Sequence, residues 1–414
     1  MPRAELTIQS IAAGGDGVAR AEADGLVVFV PRTAPGDVVV ADITPRGTFA
    51  RGRLLELLTP SAQRVEPRCP HYVNDRCGGC QLQHLDYAAQ RIAKSRIIRD
   101  ALVRIGRRDI AMPGPEVRAS EPWRYRRKLT LALRRRAAGD EWIAGLHPHD
   151  APERVFELRD CLITAVEVLS VWKEILAAAR HLPLARELRG AVRLDGETAS
   201  FTVNGGSSWP SSGKLFGAVP SLASLWWEPE RGHRTLLHER PSDSPPGATF
   251  GQVNAGVASV LQRHVLDRIL AHQPKTVVDA YAGVGEMAIA LAGQGVQVTT
   301  IEIDADAARW SASRLPAGSR SLHGRTEEHL PTALPADVVV LNPPRAGVHA
   351  DVTSALAVAA ATVRCIVYVS CNPATLARDL ARLSGWRIAS LVGFDMFPQT
   401  AHVETVCELT REAA

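Results

Sequence analysis

The sequence predicts a multidomain α/β protein. A small N-terminal β-barrel is expected over residues 1–60, a central α+β domain over 61–248, and a doubly wound, Rossmann-like domain over 249–414. Three observations predict this. The length of 414 residues exceeds one ordinary domain. Short β-rich runs fill the N-terminal stretch, and after residue 250 apolar strands alternate with helical stretches. Between them lie a cysteine cluster and a run of arginines.

Composition narrows the class before any element is placed. Hydrophobic residues are 46% and charged residues 22%, which excludes a wholly disordered or collagen-like chain. No apolar run approaches the ~20 residues that span a bilayer, and MPRAELTIQS lacks the apolar core of a signal peptide. A cytoplasmic address, no membrane partner and a monomer are expected. Seven cysteines without an export signal point to a metal site or a catalytic thiol rather than a disulfide framework. The net charge of +4 hides an asymmetry: residues 61–136 carry 18 Lys and Arg against 7 Asp and Glu, while the rest holds 30 against 37. Such a segment points to a polyanionic partner, nucleic acid first. An Arg-rich solvated surface is the alternative that composition leaves open.

The elements follow in order. LTIQSIA, GLVVFVP, DVVVADIT and ARGRLLELL are strand-like runs separated by turn residues, with the spacing of a small barrel of the oligonucleotide-binding type. Cys69, Cys77 and Cys80 then give C-x7-C-x2-C, with Cys161 as a possible distant fourth. Four thiolates suit tetrahedral zinc or an iron–sulfur cluster, and spacing alone puts zinc ahead, in a structural role. Tyr87 to Ile105 is helical and basic, with Arg91, Lys94, Arg96 and Arg99 along it. WRYRRKLTLALRRR (123–136) is a strand-like core between arginine clusters, VEVLSVWKEILAAAR is a helix, and 185–240 is mostly strand-like. ERPSDSPPGAT (239–249) is a breaker run and marks a boundary.

In the C-terminal domain the strands TVVDAY, VQVTTIEID, ADVVVLNPP and RCIVYVS alternate with helices. Asp279-Ala-Tyr-Ala-Gly-Val-Gly285 joins the first strand to a helix, and its glycines permit a tight turn and close ligand approach. Glu302 ends the next strand, where a carboxylate can accept from both ribose hydroxyls. The full GxGxxG is absent, so S-adenosylmethionine (SAM) is favoured over a nicotinamide cofactor. LNPPR (341–345) closes a later strand. Cys371, in Ser-Cys-Asn-Pro, follows the strand CIVYV and precedes the helix PATLARDLARL, so a lowered thiol pKa and a nucleophilic role are expected. Cys365 and Cys407 lie inside apolar strands and are expected to be small core residues. Taken singly, Glu404 is a surface carboxylate and His402 structural.

Together the set resembles a family. C-x7-C-x2-C with a distant Cys, Phe-Gly-Gln-Val-Asn, Asp-Ala-Tyr-Ala-Gly-Val-Gly, Pro-Pro-Arg-Ala-Gly, Ser-Cys-Asn-Pro-Ala-Thr and Asp-Met-Phe-Pro-Gln-Thr-Ala-His-Val-Glu look like the SAM-dependent RNA uracil-5-methyltransferases. The branch is the iron–sulfur one that methylates large-subunit ribosomal RNA, and the likeness spans nearly the whole chain. It implies an RNA-binding TRAM domain over 1–60 and a 4Fe–4S cluster on Cys69, Cys77, Cys80 and Cys161. It implies SAM contacts at Gln252, Tyr281, Glu286, Glu302 and Asn342, the nucleophile at Cys371 and the general base at Glu404. The family usually has Asp at 342 and Asn at 286, so one carboxylate is relocated in this chain. Two other readings stay open: an RNA-binding protein with a degenerate methyltransferase domain, and a methyltransferase acting on a different base or on tRNA. Asn-Pro-Pro is also found in amino-methyltransferases, but there an aromatic residue follows, where this chain has Arg345.

Overall fold

The computed structural model describes residues 3–21, 25–111, 114–136, 141–241, 252–359 and 362–411. Contacts divide it into two compact units, one of Met1–Val65, His84–Ser120 and Gly256–Ala414, the other of Glu66–Gln83 and Glu121–Ala255. The boundary expected after residue 248 lies outside the described residues.

In the first unit, the N-terminal strands form one six-stranded sheet in the order Arg3–Thr7, Val38–Arg46, Phe49–Thr59, Val27–Val30, Gly17–Arg20, Ser10–Ile11. Neighbours are antiparallel except Val27–Val30 with Phe49–Thr59. Alternation sends Val39, Ala41 and Ile43 inward onto Leu6, Val28, Val30 and Ala50. Behind this sheet the buried Asp37 accepts from the amides of Ala34 (2.6 Å) and Ser61 (2.8 Å) and from Arg64 (2.8 Å). These partners hold its carboxyl below the usual range despite burial. Arg64, counted in the basic segment, is thereby engaged within the fold.

The second sheet of this unit has eight strands, in the order Arg320–His323, Gln297–Glu302, Thr276–Ala280, Val338–Leu341, Cys365–Ser370, Glu404–Arg411, Trp386–Phe394, Val117–Arg118. The first five are parallel. Val338–Leu341 and Cys365–Ser370 are buried along their whole length, as parallel strands covered on both faces must be. The doubly wound expectation is met by these five. Glu404–Arg411 departs from it, running antiparallel to both neighbours. Strand order reverses between Thr276–Ala280 and Val338–Leu341, so a crevice for ligands opens at the carboxyl ends of these two strands.

Residues 84–120, expected within the central domain, pack instead on this sheet. The helix Tyr87–Arg104 starts at Asp86, whose carboxylate accepts from the Ala89 amide at 2.7 Å. Its Ile98 and Leu102 join Val117 in one apolar cluster with Leu376, Leu380 and Trp386. Val117–Arg118 extends the sheet edge beside Trp386–Phe394. The basic face read from sequence is largely engaged inside the fold. Lys94 is fully buried, Arg91 donates to the Val117 carbonyl (2.8 Å), Arg99 to Ile110 (3.1 Å) and Arg96 to Gln9 (3.3 Å).

The second unit is a seven-stranded sheet in the order Phe156–Glu157, Trp142–Leu146, Lys128–Arg135, Glu187–Asp195, Thr198–Asn204, Leu222–Glu228, Thr235–Glu239. Leu129, Leu131, Leu133, Val192 and Phe201 line a core with Val168, Trp172 and Ile175 of the helix Val166–Ala177. Several arginines of the basic segment pair at its surface: Arg124 with Asp160 (2.7 Å), Arg134 with Glu187 (3.1 Å), Arg136 with Glu157 (3.2 Å). The excess of positive charge in the sequence is thus partly neutralised on folding. Among the described residues no helix is long and apolar enough to cross a membrane.

Candidate active site and cysteine centre

The turn after Thr276–Ala280 is shaped by backbone conformations that its residues dictate. Tyr281, Gly283 and Gly285 all have positive φ (63°, 57° and 80°). A Cβ on Gly285 would stand 2.2 Å from Ser311 Oγ, so only glycine fits there. Glu302, at the end of Gln297–Glu302, fixes this turn from the next strand. Its carboxylate accepts from the Gly283 amide and from the Asp304 amide, both at 2.7 Å. The Tyr281 hydroxyl bonds the Thr326 side chain and the His349 backbone, and burial raises its pKa. Beneath the turn lies Asp279, buried, with Oδ2 unpartnered. Burial and the Glu302 carboxylate push its pKa up to about 7. A turn with free backbone approach beside a strand-end carboxylate can hold a ribose and its attached base.

The two positions that depart from the resembled pattern are both exposed. Glu286 opens the helix Glu286–Ala292, and its carboxylate accepts from Gln262. Asn342 follows Val338–Leu341, and its amide donates to the Ala280 carbonyl at 3.3 Å. Tyr281, Glu286, Glu302 and Asn342 therefore all stand at the carboxyl ends of adjacent parallel strands or just beyond. Gln252 is half-buried and belongs to the other unit; Phe250 and Gly251 lie outside the described residues.

Cys371 leaves the carboxyl end of Cys365–Ser370. The register pairs Ser370 with Thr405, so the antiparallel strand Glu404–Arg411 begins at that same end. Two segments distant in sequence thus deliver Cys371 and Glu404 to one place. Glu404 is buried rather than surface-exposed, because it pairs with Phe394 of the neighbouring strand and the buried Val403 and Thr405 lie either side. Burial pushes its pKa up to about 7, against the pull of Arg345. The lowered thiol pKa expected for Cys371 is not found. Asn372, not Cys371, caps the helix Pro373–Arg382, accepting from the Ala374 amide at 3.0 Å. Burial and the Glu404 carboxylate instead raise the Cys371 pKa, and a hydrogen bond and the charge of Arg345 act against them. Arg345 is the group that sequence reasoning passed over. It served only to set aside an aromatic at that position, yet its charge acts on both Cys371 and Glu404. Its place directly after the strand-end Pro-Pro was the available signal. His402 is exposed, its ring edge-on to Phe397 at 5.9 Å.

Cys365 and Cys407 are fully buried, as expected of core residues. Cys365 starts its strand, at the opposite end from Cys371. There Glu408 is held by His272 (2.7 Å) and Arg268 (3.3 Å).

In the second unit Cys69, Cys77 and Cys80 are buried and Cys161 half-buried; Cys69, Cys80 and Cys161 pack in a small cluster with Tyr72, Tyr125 and Ile163. The thiols are mutual neighbours, since Cys69, Cys77 and Cys161 all act electrostatically on Cys80. Tetrahedral zinc at 2.3 Å would bring its sulfurs to about 3.8 Å of one another. Away from these thiols, His272, Cys365 and Glu408 form a three-ligand group whose donor atoms lie within 4.8 Å of one another.

A family model described as tRNA (Uracil-5-)-methyltransferase matches residues 325–412. A protein named 23S rRNA (uracil(1939)-C(5))-methyltransferase from Stenotrophomonas maltophilia is 33% identical, covering 97% of this chain and 96% of its own. An uncharacterised RNA methyltransferase of Halalkalibacterium halodurans is 31% identical over 98% of this chain and 96% of its own. The crystal structure of Pyrococcus abyssi tRNA (uracil-54, C5)-methyltransferase with S-adenosyl-L-homocysteine matches with a TM-score of 0.73 and 24% identity, over 98% and 99% of the two chains.

Proposed function

Because the chain belongs to the RNA uracil-5-methyltransferases and is a SAM-dependent enzyme of that kind, we propose that it methylates carbon 5 of a specific uridine in 23S rRNA through a covalent bond to Cys371. The observation that carries this reading is the convergence of Cys371 and Glu404 where Ser370 pairs Thr405, with Arg345 acting on both. The 33% identity to the Stenotrophomonas enzyme, over almost the full length of both chains, supports rRNA over tRNA.

Carbon 5 of uracil is a weak nucleophile. The half-buried Cys371 thiol loses its proton to solvent, with Arg345 favouring the thiolate, and the sulfur bonds to carbon 6. The electrons of the 5,6 double bond move to an enolate whose carbon 5 is nucleophilic. SAM supplies, when bound, a methyl group activated by its sulfonium. Glu404 then removes the proton from carbon 5, the double bond re-forms, and the Cys371 sulfur leaves. A pKa of about 7 lets Glu404 accept that proton near neutral pH. The target base is flipped out of its stack to reach these groups.

Tyr281, Glu286, Glu302, Asn342 and Gln252 are assigned to SAM, the first four standing around one crevice. Cys69, Cys77, Cys80 and Cys161 are assigned to a 4Fe–4S cluster. The gathering of the other three thiols about Cys80 supports a four-thiolate centre, and the cluster, when bound, would cross-link a loop-rich segment to the segment carrying Cys161. Residues 1–60 are assigned to a TRAM-type RNA-binding domain, 66–83 and 121–248 to the central domain, and 84–120 together with 249–414 to the methyltransferase domain, in a cytoplasmic monomer.

The test uses three proteins and two RNAs. Wild type on RNA carrying 5-fluorouracil should form a denaturation-resistant complex, because fluorine cannot leave as a proton does. Cys371→Ala should give neither adduct nor product. Glu404→Gln should accumulate a methylated adduct on ordinary uracil. Methylation that persists in Cys371→Ala would refute the covalent reading. Absence of SAM binding in wild type would favour the degenerate, RNA-binding alternative.

A further inference from the structure

Glu404 is carried by a loop, Asp395–Val403, that joins the strand Trp386–Phe394 to the strand Glu404–Arg411. Loops ordinarily run on the surface, where water satisfies their backbone groups. This one is interior: Asp395 and Met396 are fully buried, and Gln399, Thr400, Ala401 and Val403 are no more than 3% exposed. Its polar groups must therefore find partners inside the protein.

Those partners come from one helix roughly 300 residues earlier, Tyr87–Arg104. Lys94, with no exposed surface, donates to the Asp395 carboxylate and to the Phe397 carbonyl at 3.0 Å. One turn before it, Gln90 makes a reciprocal pair with Gln399. The Gln90 amide donates to Gln399 Oε1 at 3.0 Å, and the Gln399 backbone amide donates to Gln90 Oε1 at 3.0 Å. Gln90 is itself fixed by donating to the Leu85 carbonyl at 3.0 Å. Gln399 has φ 69°, a left-handed conformation that costs a non-glycine residue energy and persists where its surroundings enforce it. The same helix reaches the loop a third time, since the Tyr87 hydroxyl, which accepts from the Ser120 amide at 2.8 Å, interacts with Asp395. Inside the loop, Phe397 O also accepts from Thr400 Oγ1 at 2.8 Å, and Thr400 Oγ1 from the His402 amide at 3.3 Å. The chain of contacts ends two residues from Glu404.

We propose that Gln90 and Lys94 are positioning residues for carbon-5 proton removal: they lock the interior loop whose last step sets Glu404 beside Cys371. Neither touches the reacting atoms. A helix rich in basic residues thus serves the elimination step rather than RNA contact at these two positions. The inference rests on the assignment of Glu404 as base, and the experiment separates the two.

Gln90→Leu in the full-length protein removes both Gln399 bonds without burying a charge. Lys94→Met combined with Asp395→Asn removes the ion pair without leaving a carboxylate alone, which keeps a folded variant in hand. Each is mixed with ordinary uracil RNA and SAM, beside Glu404→Gln and Cys371→Ala. We expect kcat to fall about tenfold or more, as small misplacements of a reacting group do. The SAM dissociation constant should stay within about twofold. A methylated, denaturation-resistant protein–RNA adduct should accumulate as in Glu404→Gln, and amides of 395–403 should exchange hydrogen faster. A merely structural role would weaken SAM binding or stability without accumulating that adduct. If both clamp variants turn over at the wild-type rate while Glu404→Gln accumulates adduct, the clamp is overturned and the base assignment stands. If Glu404→Gln accumulates nothing and Cys371→Ala still methylates, the base assignment falls and the clamp falls with it.

Discussion

Replacing Gly285 by Ala tests whether the turn after Thr276–Ala280 is built around the absence of a side chain. Two separate penalties can be worked out. At φ 80° and ψ 21° an L-residue sits in the left-handed region, which costs about 1–2 kcal/mol. The new Cβ also meets Ser311 Oγ at 2.2 Å and Ser311 Cβ at 2.8 Å, on a serine with no exposed surface in the helix Ala305–Ala312. Overpacking of a filled interior costs typically about 1–3 kcal/mol. Gly285→Ala should therefore lose about 2–5 kcal/mol. The two parts are separable. Ser311→Gly deletes both clashing atoms and leaves the Ser311 Cα at 3.5 Å, an ordinary contact. In a double-mutant cycle read by urea denaturation, Ser311→Gly should recover the overpacking part and leave the left-handed part. Titration calorimetry with SAM should show the affinity falling in the single variant and partly returning in the double. A Gly285→Ala protein as stable as wild type, or a cycle with no coupling, would refute the reasoning.

Three further outcomes are expected. Asp279 has a folded pKa of about 7 against an ordinary 3.8, so the native state binds its proton more tightly. Its favourable contribution is therefore complete below pH about 4 and lost as pH rises through 7, and Asp279→Asn should flatten the fall of Tm between pH 5 and 8; an unaltered fall would place the titration elsewhere. Arg345→Met should raise the Cys371 pKa further, moving the pH midpoint of its alkylation upward by mass spectrometry, and an unmoved midpoint would show that Arg345 does not govern the thiol. Anaerobically purified protein should be brown, with iron and sulfide near four each per chain, and Cys77→Ser should cost solubility before activity; stoichiometric zinc without visible absorbance would return the four thiols to a zinc site.

The parallel strands and their carboxyl-end residues were legible because buried strands are written as continuous apolar runs; Tyr281, Asn342 and Cys371 stand directly after such strands, and Glu302 closes the strand Gln297–Glu302. Glu404 was harder. Alone it looks like a surface carboxylate, and only the antiparallel register with Cys365–Ser370 buries it. The helix Tyr87–Arg104 was misleading for a physical reason. Lys, Gln and Arg ordinarily mark a solvent face, yet Gln90 and Lys94 turn inward to an interior loop that local pattern cannot reveal. The arginines of 123–136 deceive in the same way, since their carboxylate partners at Glu157, Asp160 and Glu187 lie downstream of the basic run. The raised Cys371 pKa was illegible too, because helix-start position is local whereas the opposing Glu404 is not.

The edge strand Val117–Arg118 and the helix before it have a consequence for how the molecule is made. Lys94 must wait for Asp395, which is 301 residues further along. At about 5–20 residues per second of synthesis, that is a delay of about 15–60 s on the ribosome. During it the helix carries an amine and one side-chain amide destined for the interior, and Ile98 and Leu102 lack their sheet. The unit bearing Cys371 and Glu404 is thus among the last parts of the protein that can close. A fragment beginning near residue 249 would contain every residue assigned to chemistry and still lack the helix and edge strand that its far sheet edge is built to meet. Expressed alone, it should be found in the aggregated fraction.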